Sequence, residues 1–117
     1  MDSILTSIKK LLGITEEYNH FDSDIIMHIN TVFLSLKQLG IGPAEGFRIE
    51  DNKAKWDEYI KVDDDPEKLA LQSAVKSYIH LKVKLLFDPP LSAAVQEIIK
   101  QSIKELEWRM NVEAESK

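Results

Sequence analysis

The sequence contains no cysteine. That absence excludes disulfide bonds, thiolate catalysis and zinc sites built on sulfur. The sequence also lacks any apolar run that approaches the roughly 18 residues needed to span a bilayer. Its first residues carry an acid at Asp2 and lysines within the apolar pattern, which is not the pattern of a signal peptide. We therefore expect no membrane association.

The sequence has fewer basic than acidic residues. The chain has 15 lysines and arginines against 20 acids, a net charge of −5. Because non-specific affinity for DNA comes mainly from neutralised phosphates, this balance argues against a free-standing nucleic-acid binder, although a local basic patch is compatible with it. The length of 117 residues fits one domain, 1–117, and the 44% apolar fraction is that of an ordinary globular protein.

Apolar residues recur at helical spacing along four segments. The first ends at Gly13, and the three longest are predicted over 22–39, 66–87 and 91–110. On the 66–87 helix the inward residues are predicted to be Leu71, Val75, Tyr78, Ile79 and Leu86. On the last helix they are predicted to be Val95, Ile99, Ile103, Leu106 and Met110. The shared core is predicted to contain Ile29, Phe33, Leu36, Val75, Ile79, Ile99 and Leu106.

Polar residues, glycine and proline mark the helix ends. Asp22 or Ser23 is predicted to cap the second helix, and Asp65 caps the helix that begins at Pro66. Residues 41–51 read as an ordered loop with a short extended piece at 47–49, followed by a short helix over 52–60. The prediction is an all-α fold: a small helical bundle of four main helices, one short helix and an ordered loop. The core pattern ends at Met110, so 111–117 is predicted to be a flexible tail.

No residue pattern in the sequence supports a reaction. The three histidines are isolated from one another, and the run Asp63–Asp65 lacks the alternating ligands and turn glycine of a calcium loop. There is no nucleophile motif and no phosphate-binding glycine loop. We therefore predict no catalytic, cofactor or metal site, and no enzyme activity.

Two features of the sequence are not explained by packing of a core, and the first is a set of basic residues on the 66–87 helix. Lys76, His80 and Lys84 recur every four residues, which is typical of a solvated face but also of a basic stripe. Lys82 falls inside the predicted apolar stripe, between Ile79 and Leu86. A lysine there must extend to the rim or meet a carboxylate on a partner.

Trp108 is the second such feature. At 100° per residue it lies about opposite Ile99, on the polar side of the last helix. Either it anchors a contact with another protein, or the 41–60 segment folds over it. The adjacent Arg109 is a planar donor suited to a partner's carboxylate. We predict that Lys82, Trp108 and Arg109 lie at or near contacts with other subunits.

Three stretches of the chain, taken together and in order, carry a family resemblance. They are HFDSDIIMHINTVFLSLKQLGIGP at 20–43, AVKSYIHLKVKLLFDPP at 74–90 and IKELEWRMNVE at 103–113. The sequence resembles the small head–tail connector, or adaptor, family of long-tailed bacteriophages and Gram-positive prophages. The region 44–73 is less characteristic.

The resemblance implies a helical, non-catalytic protein at the head–tail junction of the virion, present in the bacterial cytoplasm during assembly. It implies a ring of about a dozen copies beneath the capsid portal protein. Such a ring extends the DNA channel, lets DNA pass without specific binding, and docks a stopper or tail-completion protein. The segment near the C-terminus, with Asn111, Val112 and Glu113, is implied to dock on the portal.

Two other functions remain open from the residues alone. A small helical DNA-binding or regulatory protein of a prophage would use the stripe of Lys76, His80 and Lys84, but the net charge and the lack of a compact helix-turn-helix oppose it. A toxin or antitoxin partner would bind one cognate protein and form no ring.

Overall fold

The computed structural model describes the backbone of residues 2–115 and the side chains of residues 2–112. The predicted all-α fold is confirmed: the extended pairing in this part of the chain is a single isolated bridge between Ser3 and Lys55. The helices are α1 (Ile4–Leu11), α2 (Asp22–Gln38), α3 (Trp56–Tyr59), α4 (Pro66–Phe87) and α5 (Ala93–Glu115).

Helix α4 forms the centre of the fold. It packs extensively against α2 and α5, and α1 contacts both α2 and α4. Helix α4 therefore has neighbours on three sides and no single inward stripe. One prediction is corrected for this reason: Leu86 is exposed rather than inward. Val83, which the predicted stripe does not include, is fully buried in the core beside Val75 and Ile79.

The predicted helix ends are mostly confirmed. Gly13 and Gly40 adopt positive φ angles of 81° and 82° just after α1 and α2, as expected for C-terminal caps. The Asp65 carboxylate accepts a hydrogen bond of 2.9 Å from the Glu67 N–H, which confirms it as the cap of α4. The predicted cap of α2 is wrong. Asp22 is already helical, and no side chain caps α2.

The Asp22 carboxylate instead pairs with a buried lysine. The Lys9 side chain is only 2% exposed, and its Nζ lies 2.8 Å from Asp22 Oδ1. The same ammonium donates a 3.0 Å hydrogen bond to the carbonyl of Glu16. Charges removed from water need such partners, and here they join α1, the following loop and the start of α2.

The loop after α2 is held to that helix by one amide side chain. Asn30 Nδ2 donates to the Ile49 carbonyl at 2.9 Å, and the Ile49 N–H donates to Asn30 Oδ1 at 2.8 Å. Both backbone groups of Ile49 are therefore satisfied by a side chain. The predicted extended piece at 47–49 is not a strand, because its partner is this amide and not another backbone segment.

Aromatic packing closes the other side of this loop. Phe33, Phe47 and Tyr59 lie with ring centroids 4.7–5.3 Å apart. Gly42 has a φ of +87°, and a Cβ there would lie 2.6 Å from Tyr59 Cε1. The ring of Tyr59 thus occupies the space that any other residue would need, so the loop requires glycine at this position.

Helix α3 is shorter than the predicted 52–60, and the segment before it anchors α1. The Ile4 N–H donates to the Ala54 carbonyl at 2.9 Å. The buried Trp56 Nε1 donates to Ser7 Oγ at 3.0 Å. The Ala54 carbonyl therefore satisfies the N–H of buried Ile4, and Ser7 satisfies the buried indole N–H of Trp56.

Helix α5 differs most from its prediction. It continues five residues beyond Met110, to Glu115. Ile103 and Met110 are buried, whereas Ile99 and Leu106 are only partly buried and Val95 is exposed. The predicted core members on α2 and α4 are all buried. The mobility of 111–117 stays a prediction, and the Glu113 side chain lies outside the described residues.

Candidate interaction surface

The outer face of α5 carries the predicted contact residues. Trp108 is 68% exposed, and Val112 and Asn111 are exposed one turn further along the helix. The 41–60 segment does not cover Trp108, because Asn30 and the aromatic cluster hold that segment against α2. A large aromatic side chain is therefore left in solvent on the side of α5 that faces away from α4.

Arg109 lies beside Trp108 and forms an exposed ion pair. Its Nη2 is 2.6 Å from Glu105 Oε1, one turn earlier on α5. Pairs of this kind, exposed and four residues apart, contribute only about 0.3–0.5 kcal/mol. The guanidinium can therefore exchange this carboxylate for a partner's at little cost.

Lys82 finds its partners inside the protein. Its Nζ donates to the Tyr78 hydroxyl at 3.3 Å and lies 5.3 Å from the centre of that ring. The Tyr78 hydroxyl in turn donates to Glu107 Oε2 at 2.6 Å. Burial, followed by this carboxylate, raises the pKa of Tyr78 above its ordinary value. Tyr78 thus joins α4 to α5 and Lys82 supports its hydroxyl, whereas a contact between Lys82 and another subunit stays a prediction.

The basic stripe on α4 does not form an open face. Lys76 lies 5.9 Å above the Trp56 ring, and Lys84 pairs with Asp88 at 3.3 Å. His80 is half-buried next to the backbone of Leu11; burial, and then the charge of Lys84, lower its pKa. All three side chains of the stripe are half-buried, and the lowered pKa of His80 disfavours a positive charge there. The stripe is therefore a poor surface for DNA phosphates, which weakens the DNA-binding alternative.

A groove along α2 was not predicted from the sequence. It has a volume of about 710 Å³ and lies between the outer side of α2 and residues 45–48. Exposed Met27 and Leu34 and half-buried Phe47 supply its apolar surface, and Lys37 and Arg48 lie at its edges. The groove depends on contact between a helix and a loop 15 to 20 residues later, which periodicity does not report.

A metal site and a membrane-spanning helix each have requirements that the described residues do not meet. No three of their histidine, aspartate and glutamate side chains gather where a metal ion could bind. Within the same part of the chain, no helix combines the length and apolarity required to cross a membrane.

The fold and these surfaces define a small helical protein with exposed apolar side chains on several of its helices, α2 and α5 among them. A family described as phage connector protein matches residues 4–117, nearly the entire chain. The chain therefore belongs to the phage connector family, and this confirms the resemblance seen in the sequence. No curated protein and no solved structure matches it significantly. Membership implies interactions with other head or tail proteins of a phage.

Proposed function

We propose that the chain is a head–tail connector that forms a ring beneath the capsid portal, extends the DNA channel and docks a stopper or tail-completion protein. In this proposal it acts at the virion head–tail junction and catalyses no reaction. Family membership supports this role. The structural observation that carries it is the exposed Trp108 on the outer side of α5, because large exposed aromatic residues are typical anchors of protein interfaces.

The charge of the chain is compatible with a channel. A net charge of −5 disfavours attachment to DNA phosphates, so DNA can move past the protein without binding. The alternative of a DNA-binding regulator predicts binding to duplex DNA at low salt. The connector proposal predicts none.

Replacing Trp108 with alanine should reduce assembly with purified portal protein at least about tenfold, because an interface anchor of this kind contributes 2 kcal/mol or more. Assembly is measured by light scattering and electron microscopy of the mixed proteins. Leu69→Ala, which removes an exposed apolar side chain from α4 instead, is the matched control and should assemble normally.

Fluorescence gives a second readout of the same residue. Trp56, the other tryptophan, is buried, so Trp56→Phe leaves Trp108 as the reporter. Its emission should move to shorter wavelength when the ring forms and the indole leaves water. Full ring formation by Trp108→Ala, together with unchanged emission of Trp108 on assembly, would contradict the assignment.

Deleting residues 111–117 should leave the melting temperature nearly unchanged and weaken attachment to the portal. Among the side chains described, up to residue 112, Met110 is the last that is buried, and Asn111 and Val112 are exposed, so we expect little core packing to be lost. Weak contacts from Asn111, Val112 and Glu113, which the deletion removes, would add up over the copies of a ring. Scanning calorimetry and portal co-sedimentation test the two halves separately. A deletion that unfolds the domain would make this segment part of the core, and unchanged attachment would move the docking surface elsewhere, first to the 41–60 segment.

A further inference from the structure

The groove on α2 has the shape and rigidity of a preformed binding site. Its α2 wall runs from Ser23 to Lys37, a rise of about 21 Å at 1.5 Å per residue. Its loop wall is fixed by the paired hydrogen bonds between Asn30 and Ile49. Leu34, within the groove, is 57% exposed. A groove of this length, lined by apolar side chains together with polar ones, suits an amphipathic helix laid along it.

A convex stripe on α5 has the same length. Its residues follow spacings of four and three, which places them on one line of the helix surface. Ile98 is 62% exposed on this line. We define this stripe as the α5 ridge: Ala94, Ile98, Gln101, Glu105 and Trp108. From Ala94 to Trp108 the rise is again about 21 Å.

We infer that the α5 ridge of one copy lies in the α2 groove of the next copy. This inference rests on the proposed function, because it assigns the contact that builds the ring. The two surfaces are complementary in form, one convex and one concave, and equal in length. The charges are also complementary: Lys37 and Arg48 line the groove with a single acid, Glu45, and the ridge carries the acid Glu105. The ion pair of Glu105 with Arg109 is exposed, so Glu105 can exchange Arg109 for a base of the groove at little cost.

The positions of the two surfaces make the contact head-to-tail. Helices α2 and α5 pack on different sides of α4, so a copy that fills its neighbour's groove leaves its own groove open. Contacts between two different patches propagate from copy to copy and close into a ring when the rotation permits. Pairing of two grooves or two ridges would stop at a dimer.

Charged substitutions test this contact by complementation. Leu34→Glu disables the groove and Ile98→Glu disables the ridge, and both positions are exposed, so the fold should survive; circular dichroism checks this. Each variant alone should lose self-association at least about tenfold. An equimolar mixture should form a one-to-one dimer, because one intact groove and one intact ridge remain. Leu69→Glu is the matched control and should assemble normally.

Cysteine crosslinking gives an independent test, because the chain has no cysteine of its own. Thr31 and Gln101 lie close to the middle of groove and ridge, so they meet whichever way the ridge runs. A chain with both Thr31→Cys and Gln101→Cys should give a ladder of oligomers with a short bismaleimide. Each single variant should give no ladder, and a mixture of the two single variants should stop at a dimer.

The outcomes separate this inference from the proposed function. A wild-type chain that forms no ring with portal overturns both. A wild-type ring that both glutamate variants still form overturns the inference alone. So does a mixture of the two glutamate variants that stays monomeric, or dimers crosslinked through Thr31→Cys alone, since these require groove-to-groove pairing.

Discussion

Replacing Phe33 with alanine is expected to lower the free energy of unfolding by about 3–5 kcal/mol. The side chain is 2% exposed and contacts the rings of Phe47 and Tyr59 at centroid distances of 5.1 and 4.7 Å. Its removal opens a cavity and also loosens the loop that these rings hold. Since domains are typically stable by only about 5–15 kcal/mol, the loss should be plain in urea denaturation.

The adjacent residue provides the control. Leu34 follows Phe33 on α2 but is exposed, so Leu34→Ala should change stability by no more than about 0.5 kcal/mol. Equal losses for the two variants would mean that the buried face of α2 has been misassigned.

Replacing Asp22 with alanine is expected to cost about 3 kcal/mol, the low end for a broken buried ion pair because Asp22 keeps partial contact with solvent. The substitution leaves the Lys9 ammonium buried, with the Glu16 carbonyl as its remaining partner. Chemical denaturation measures the loss.

The Lys9 side of the pair behaves differently. Lys9→Met keeps the volume and removes the buried ammonium, but it leaves the Asp22 carboxylate without its cation. Because that carboxylate is 27% exposed, the loss should be smaller than for Asp22→Ala. Lys9→Met combined with Asp22→Ala removes both charges and should recover most of the loss. A loss for Lys9→Met as large as that for Asp22→Ala, with no recovery in the double variant, would show that the pair itself stabilises the fold. It would contradict the view that an unpaired charge causes the damage.

The parts of the fold that the sequence predicts are those set by local rules. The caps at Gly13, Gly40 and Asp65 depend on a few neighbouring residues, and the buried face of α2 follows one period. A single apolar stripe predicts the buried residues of α4 only in part, because α4 has neighbouring helices on three sides. Leu86 lies outside the contacts with these neighbours. The ion pair of Asp22 could not be predicted by local rules, because its partner, Lys9, belongs to another helix.

The candidate surfaces show the same division. Counting residues around α5 predicts that Trp108 points away from the core, and the structure leaves it exposed. The sequence also indicates that Lys82 needs a polar partner, but that partner is the Tyr78 hydroxyl of the same chain, which donates in turn to Glu107. The α2 groove could not be predicted. It exists because the Asn30 side chain hydrogen-bonds to the backbone of Ile49. The spacing of apolar residues in the sequence contains no information about such a contact.

The one-sided packing of α5 links its local stability to assembly. A helix that packs mainly on α4, with Ile103 and Met110 as the buried side chains of its described part, opens locally at a smaller free energy than helices packed on several sides. Any protein that binds the closed form of α5 raises that opening free energy by mass action. A neighbouring copy that binds α5 would therefore stabilise that helix against local opening. The free chain would be the form open to proteolysis, and the ring the form protected from it.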